Sequence, residues 1–283
     1  MIVSASYRTD IPAFYADWLS NRLAAGWALV RNPYGGPPAR VDLRPDAVDG
    51  FVFWTRNIGP AWPLLQRLAA PFVVQYTAIG YPRALDERVP PVEDAVGRIR
   101  ALAGRWGRRA VVWRYDPIVI TSATPPDWHR RQVARLAEAL AGAVDEVCIS
   151  FVEPYAKTRR NMAAAAAKGD FTWQQPDPAE RQRLADDLAG IAVGHGIRLT
   201  ACTQPGLAVP AAACVDADRL SDVAGHPIRA RRKGNRPGCL CAESRDLGAY
   251  DTCPHGCAYC YAVRSRRRAV AAHRAHDPGA ESL

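Results

Sequence analysis

The sequence predicts a parallel β/α barrel, closed or partly closed, and three observations carry that prediction. Short apolar runs alternate with amphipathic ones about six times between Ile2 and Ala201, the pattern of strand–helix units on a parallel sheet. No G-x-G-x-x-G follows the first apolar run and no G-x-x-x-x-G-K-[ST] occurs, which disfavours the open nucleotide-binding sheets. Polar residues recur where each apolar run stops: Arg8 and Asp10, Arg56 and Asn57, Tyr76 and Thr77, Arg114 and Asp116, Ser150 and Glu153, then Gln204. In β/α barrels that end of the strands carries the chemistry. A chain of 283 residues, 48% hydrophobic, can bury such a core as one integrated unit.

Residues 2–6 form the first strand, and Asp10 caps a helix over 12–24 that has Pro12 in its first turn. Residues 28–31 and 40–43 flank a Pro/Gly-rich turn and pair as a small hairpin. FVFWT (51–55) is the second core strand, followed by a helix near 61–69. FVVQYT (72–77) is the third, and Pro90-Pro91 opens a helix over 92–106. AVVWR (110–114) is the fourth, and Asp127 caps a helix reaching about 141. VCISF (147–151) is the fifth, with an alanine-rich helix over 154–168 behind it. Asp177 and Pro178 open a helix to 193, and 197–201 is the sixth strand, leading into Cys202. There the periodicity stops. Residues 202–262 read as a cysteine-rich segment folded over the barrel mouth and held by metal instead of a core of its own. Residues 263–283 read as a basic tail, helical to about 272 and frayed at its end.

The chemistry concentrates in the cysteines, seven of eight lying between Cys202 and Cys260. No charged-then-apolar leader opens the sequence and no apolar stretch is long enough to cross a membrane, so a cytosolic protein with reduced thiols is expected. In that setting clustered cysteines point to metal or redox chemistry. Cys148 stands alone in an apolar run and reads as a small buried hydrophobe. Cys253, Cys257 and Cys260, in YDTCPHGCAYCY, have the spacing C-x3-C-x2-C. One short loop of three thiolates suits three irons of a cube, with the fourth iron left for another ligand. The competing reading is a zinc knot with His255 as fourth ligand. The remaining Cys202, Cys214, Cys239 and Cys241 divide from the loop as four plus three and would hold a second, closed cluster or a zinc. A rival division joins Cys241 to the loop and leaves Cys202, Cys214 and Cys239 over.

The loop, with Tyr259 just before its last cysteine, resembles the C-x3-C-x-aromatic-C loop of radical S-adenosylmethionine (radical SAM) enzymes, which usually carry it near the N-terminus. The chain as a whole resembles an uncharacterised bacterial domain-of-unknown-function family marked by a C-terminal cysteine cluster of this kind. The matching stretches are SYRTDIP (6–12), VRNP (30–33), FWTRN (53–57), WRYDP (113–117), ISF (149–151) and residues 239–262. It departs from the family at Arg56-Asn57-Ile58, where Lys-Asn-Pro is usual, and at Gln204, where a carboxylate often stands. The glycine-glycine-acidic motif of many radical SAM enzymes is also missing.

The resemblance implies one or two [4Fe-4S] clusters and S-adenosylmethionine bound through its amino and carboxylate groups. It further implies one-electron cleavage to a 5′-deoxyadenosyl radical, with ferredoxin or flavodoxin as donor. Tyr259, Glu153, Arg56 and Asn57 are candidate cofactor contacts. Arg8, Asp10, Arg114 and Asp116 are candidate catalytic residues, Arg114 as an anion clamp and Asp116 for a hydroxyl or amine. Each pair reads equally as a rim ion pair, Arg8 with Asp10 and Arg114 with Asp116, and Glu153 reads equally as a helix cap. The 37 Lys+Arg against 28 Asp+Glu, a formal charge of +9, make a nucleic acid or nucleotide partner one expectation. The densest basic run, 229–236, adjoins the cysteines and suits an anionic cluster as well. Two further function classes stand beside the enzyme: an electron-transfer or redox-sensing protein with closed clusters, and a nucleic-acid-binding protein stapled by zinc.

Overall fold

A computed structural model describes residues 1–33 and 35–283. The chain begins with β1 (Ile2–Ala5), then α1 (Ile11–Phe14) and α2 (Ala16–Ala25). β2 (Trp27–Val30) and β3 (Ala39–Asp42) form a separate antiparallel pair. β4 (Gly50–Thr55), α3 (Trp62–Arg67), β5 (Phe72–Thr77) and α4 (Val92–Trp106) follow. Next come β6 (Val111–Ile118), α5 (Pro126–Leu140), β7 (Glu146–Phe151), α6 (Ala156–Gly169), α7 (Pro178–Gly194) and β8 (Arg198–Ala201). The chain closes with α8 (Ala217–Ala224), β9 (Ser244–Asp246) and α9 (Arg266–Arg274).

The main sheet is seven-stranded and parallel, in the order β8-β7-β6-β5-β4-β1-β9. From β1 to β8 each core strand takes the place beside its predecessor. The order does not reverse as it does in doubly wound sheets. No ladder among the described residues joins β8 to β9, so the architecture is a mixed α/β fold on a parallel sheet, without demonstrated closure. β9 was not anticipated: its three residues are Ser244, Arg245 and Asp246, and nothing apolar marks them as a strand.

Side chains alternate across the pleat and divide the core in two. On one face Val3, Phe53, Tyr76, Trp113 and Ile149 pack against Ile99 and Leu102 of α4, Val133 and Leu136 of α5, and Leu184 and Leu188 of α7. On the other face Ile2, Val52, Val73, Val112 and Cys148 meet Ala212, Val215, Leu220, Ile228 and Ala242. The segment after β8 therefore has an apolar core with the sheet, contrary to the expectation that metal alone would hold it. α8 supplies Leu220 to that core, and its Asp216 cap accepts from Asp218 N at 2.9 Å and Arg219 N at 3.1 Å. Arg219, 1% exposed, reaches the base of β7, 2.9 Å from Asp145 and 2.6 Å from Glu146.

Several boundaries differ from expectation for local reasons. The helix expected over 12–24 breaks at Tyr15, whose backbone (φ −135°, ψ 30°) leaves the helical region. Asp10 caps α1 as expected, accepting from Ala13 N at 3.0 Å. Asp127 is not a cap, because α5 already starts at Pro126; its carboxylate instead pairs with Arg130 at 2.5 Å. Asp177 forms a full capping box with Glu180. The C-terminal residues, expected to fray, are docked. Trp18 Nε1 donates to Ala280 O at 2.9 Å, Asn21 to Pro278 O at 3.0 Å and Leu29 N to Glu281 O at 2.8 Å. Among the described residues no helix is long and apolar enough to cross a membrane.

Candidate functional site

The C-x3-C-x2-C loop lies against the segments that follow β1, β4 and β5, the strand ends singled out from the sequence. Its backbone is fastened there: Tyr15 OH donates to Thr252 O at 2.8 Å, Arg88 N to His255 O at 2.9 Å and Ala258 N to Leu85 O at 2.8 Å. Thr9 and Thr252 hydroxyls meet at 2.7 Å. Gly256 turns the loop at φ +79°, and a Cβ there would lie 2.6 Å from Arg266 Cδ.

Two buried networks hold the loop's side chains. Tyr259, 5% exposed, donates its hydroxyl to Asp86 Oδ1 at 2.6 Å, and Arg56 bridges that hydroxyl and Asp86 Oδ2, the latter at 2.9 Å. Asp10 accepts from Thr55 Oγ1 at 2.7 Å, Arg56 N at 2.8 Å and His255 Nε2 at 2.8 Å. His255, 3% exposed, keeps Nδ1 without a hydrogen-bond partner among the described residues. The imidazole is thus oriented through one nitrogen and left open at the other. The Arg56–Asp86 pair also lines a cavity of about 310 Å³ with Thr77, Tyr81, Trp128 and Gln132.

Burial raises all three loop thiols: Cys253 to about 12, Cys257 well above the usual range, and Cys260 upward. Cys257 also feels the charges of Cys253 and Cys260, with Arg56 opposing them. Half-buried thiols near a cation suit ligation, since a metal stabilises the deprotonated form. Among the described residues no three His, Cys, Asp or Glu side chains stand around one point fit for a single ion. A cubane takes one thiolate per iron and needs no such convergence.

The other cysteines form a second group on the opposite face of the sheet. Cys148 on β7 lies beside Arg114 on β6 and Thr200 on β8. Cys202 follows β8 directly, its N–H donating to Ile149 O at 2.8 Å. Cys148, Cys214 and Cys241 share one buried layer, with Cys202 and Cys239 packed against it. Cys148 is therefore buried as expected but not alone. Cys241 lies with Cys214 and Cys239 in that layer.

Arg114, 4% exposed, donates to Cys214 Sγ and Gln75 Oε1, each at 3.1 Å, and to Asp116 Oδ2 at 2.9 Å. Ser150 donates to Asp116, and the Trp54 ring lies 4.9 Å from the guanidinium carbon of Arg114. The Cys214 thiol is held well below its usual range by hydrogen bonds from Cys148, Cys202 and Cys241, with Arg114 contributing.

The remaining candidates separate. Arg114 and Asp116 form the expected ion pair. Arg8 and Asp10 do not: Arg8 pairs at 2.9 Å with Asp246, which also accepts from Ser4, Ser6 and Tyr7 N, while Asp10 serves His255. Asn57 accepts from Gly59 N at 3.1 Å and shapes a turn. Glu153 is half-buried and caps no helix, since α6 has Tyr155 at its N-cap without a side-chain bond. Within the basic run Arg231 and Lys233 pair with Glu243, and Arg236 approaches Cys202 Sγ at 3.9 Å. Asp86 and Asp246 escaped sequence reasoning because each is a single carboxylate in an irregular or polar stretch.

No curated protein matches the chain. Residues 2–262 match the family described as a domain of unknown function (DUF1848), and the chain belongs to that family.

Proposed function

We propose that this protein is an iron–sulfur enzyme of the radical SAM kind, built on a partial β/α barrel, with Cys253, Cys257 and Cys260 as ligands of a [4Fe-4S] cluster. The observation that carries the reading is the loop itself: three free cysteines, clamped at the strand ends by the Tyr259–Asp86–Arg56 and Asp10–His255 networks. When bound, such a cluster supplies one electron to the sulfonium of S-adenosylmethionine and so starts hydrogen-atom abstraction. Asp10 holds His255 and the Arg56 backbone in register. Arg56 offsets the negative charge of the thiolates. Arg56 and the cavity beside it offer a cation and a recess for an anionic molecule such as a nucleotide. Ferredoxin or flavodoxin is the proposed electron donor.

The test is electron paramagnetic resonance on anaerobically reconstituted, dithionite-reduced protein, with and without S-adenosylmethionine. A cubane signal whose g-values move on addition, and which is absent in Cys257→Ala, is expected. A signal that does not move would favour an electron-transfer protein with closed clusters. No cubane signal at all would end the iron–sulfur reading of this loop.

A further inference from the structure

We infer that the surface where α6 meets the cysteine loop binds single-stranded nucleic acid, with bases stacked on Tyr155 and Tyr261 and phosphates held by Lys157 and Arg236. The inference does not depend on what the 253–260 loop ligates.

Two aromatic rings on this surface are left to water. Tyr155 is 49% exposed and Tyr261 42%, and among the described residues no other tyrosine, tryptophan or phenylalanine is exposed to that degree. They come from distant segments, Tyr155 from the N-cap of α6 and Tyr261 from the position after Cys260. Arg160, donating to Arg264 O at 2.6 Å, and Asn161, donating to Val263 O at 3.1 Å, pin α6 to the exit of the loop. The two rings then stand with centroids 6.4 Å apart and planes at 57°, tilted instead of stacked. Neither ring covers the other's face, so each keeps a face for a base. The Tyr261 ring is also held in place, its hydroxyl donating to Tyr7 O at 2.5 Å.

The charge beside the rings is positive and uncommitted. Lys157 Nζ sits 4.8 Å from the centre of the Tyr250 ring, at the entry to the cysteine loop. Arg236 lies past the end of β8, the strand beside β7, with its guanidinium 3.9 Å from Cys202 Sγ. Among the described residues these two cations meet a ring and a sulfur and enter no ion pair. The neighbouring carboxylates are already taken, Asp246 by Arg8 and Asp251 by Arg264. Glu153 alone stays outside an ion pair there, and it is half-buried. Rings interleaved with free cations match a strand that offers phosphates and unpaired bases together. A duplex hides its base faces in the stack, and an acidic peptide offers charge without them.

The experiment measures the fluorescence anisotropy of a labelled oligothymidylate of about twelve nucleotides titrated with the full chain. Two phosphate contacts give log affinity a slope of about −1.4 against log salt, so binding should weaken about sevenfold between about 50 and 200 mM salt. Tyr155→Ala and Tyr261→Ala should each weaken binding about 5- to 100-fold, whereas Tyr155→Phe should keep it. Lys157→Gln should weaken it and reduce the slope by about 0.7, while Lys168→Gln, in the last turn of α6, should change neither. The Tyr155 side chain makes no cap bond, so Tyr155→Ala keeps the test open if Tyr261→Ala does not fold. No anisotropy change at the lower salt would overturn the inference. So would undiminished binding by Tyr155→Ala, or a duplex or polyglutamate bound as tightly as the strand. Thymidine monophosphate competing at the same concentration as the strand would mean a mononucleotide site and overturn it too. Binding is read on the protein as purified and iron is assayed apart from it, so this inference and the cluster reading fail separately.

Discussion

The loop over 250–262 and the cover over 202–242 both carry cysteines, yet their thiols are gathered by opposite means. The loop draws its three from a stretch only eight residues long, Cys253 to Cys260, turned by Gly256 and by Asp251 at φ +63°. The cover group draws one sulfur from β7, one from just past β8 and three from an irregular segment. In the loop a local turn makes the arrangement and tertiary contacts such as Tyr259–Asp86 only anchor it. In the cover, sheet register makes it, because Arg114 and Cys148 are neighbours by strand pairing. A spacing motif thus survives being read as a string, and a group assembled across strands does not.

The cover can be broken at one buried charge. Arg219→Ala removes the buried guanidinium shared by Asp145 and Glu146 at the base of β7, leaving them the more exposed Arg109 and Arg198. A loss of about 3–5 kcal/mol is expected in urea unfolding, with hydrogen exchange accelerating over 210–246 before 250–262. Equal acceleration in both regions would mean that loop and cover are one cooperative unit.

Acid acts on the scaffold beneath both regions. His129 is fully buried against Tyr115, and burial lowers its pKa from 6.5 to about 4. The folded state resists a proton that the unfolded state accepts. The stability this confers is complete above pH 6.5 and is lost as pH falls toward 4, by about 3 kcal/mol in all. Urea midpoints should fall over that window in the wild type and less steeply in His129→Gln. The half-buried Asp145, whose pKa its arginine partners lower against the effect of burial, adds a loss at lower pH.

The loop's own anchor is smaller. Tyr259→Phe removes a hydroxyl from the Arg56–Asp86 pair but leaves the pair intact. About 1–2 kcal/mol of destabilisation is expected, with faster exchange confined to 253–260. Faster exchange over 210–246 as well would show that the loop and the cover are coupled.

Six core strands and most helices were legible because each carries its own periodicity, and the Asp177 and Asp10 caps are written beside the helices they open. β9 was not, since Ser244, Arg245 and Asp246 earn their place by pairing with β1. Arg8 was matched with Asp10 by nearness in sequence, while folding gave it Asp246, 238 positions away. The loop cysteines were legible from spacing alone. The part played by Cys148 was hidden, because an apolar neighbourhood in sequence says nothing of which sulfurs a second layer brings to it.

The sequence by itself determined the winding of the sheet, the two-sided burial of its strands and the existence of a three-thiol loop. Each follows from local alternation, capping or spacing, where the interacting residues are near neighbours along the chain. Only the tertiary structure decided that the strand-end loops grip that loop through Asp86 and Asp10, and that Cys148 shares a buried layer with Cys214 and Cys241 beside Arg114. Those contacts join residues that local pattern cannot relate, and they form only once strand order and register bring distant segments onto one face.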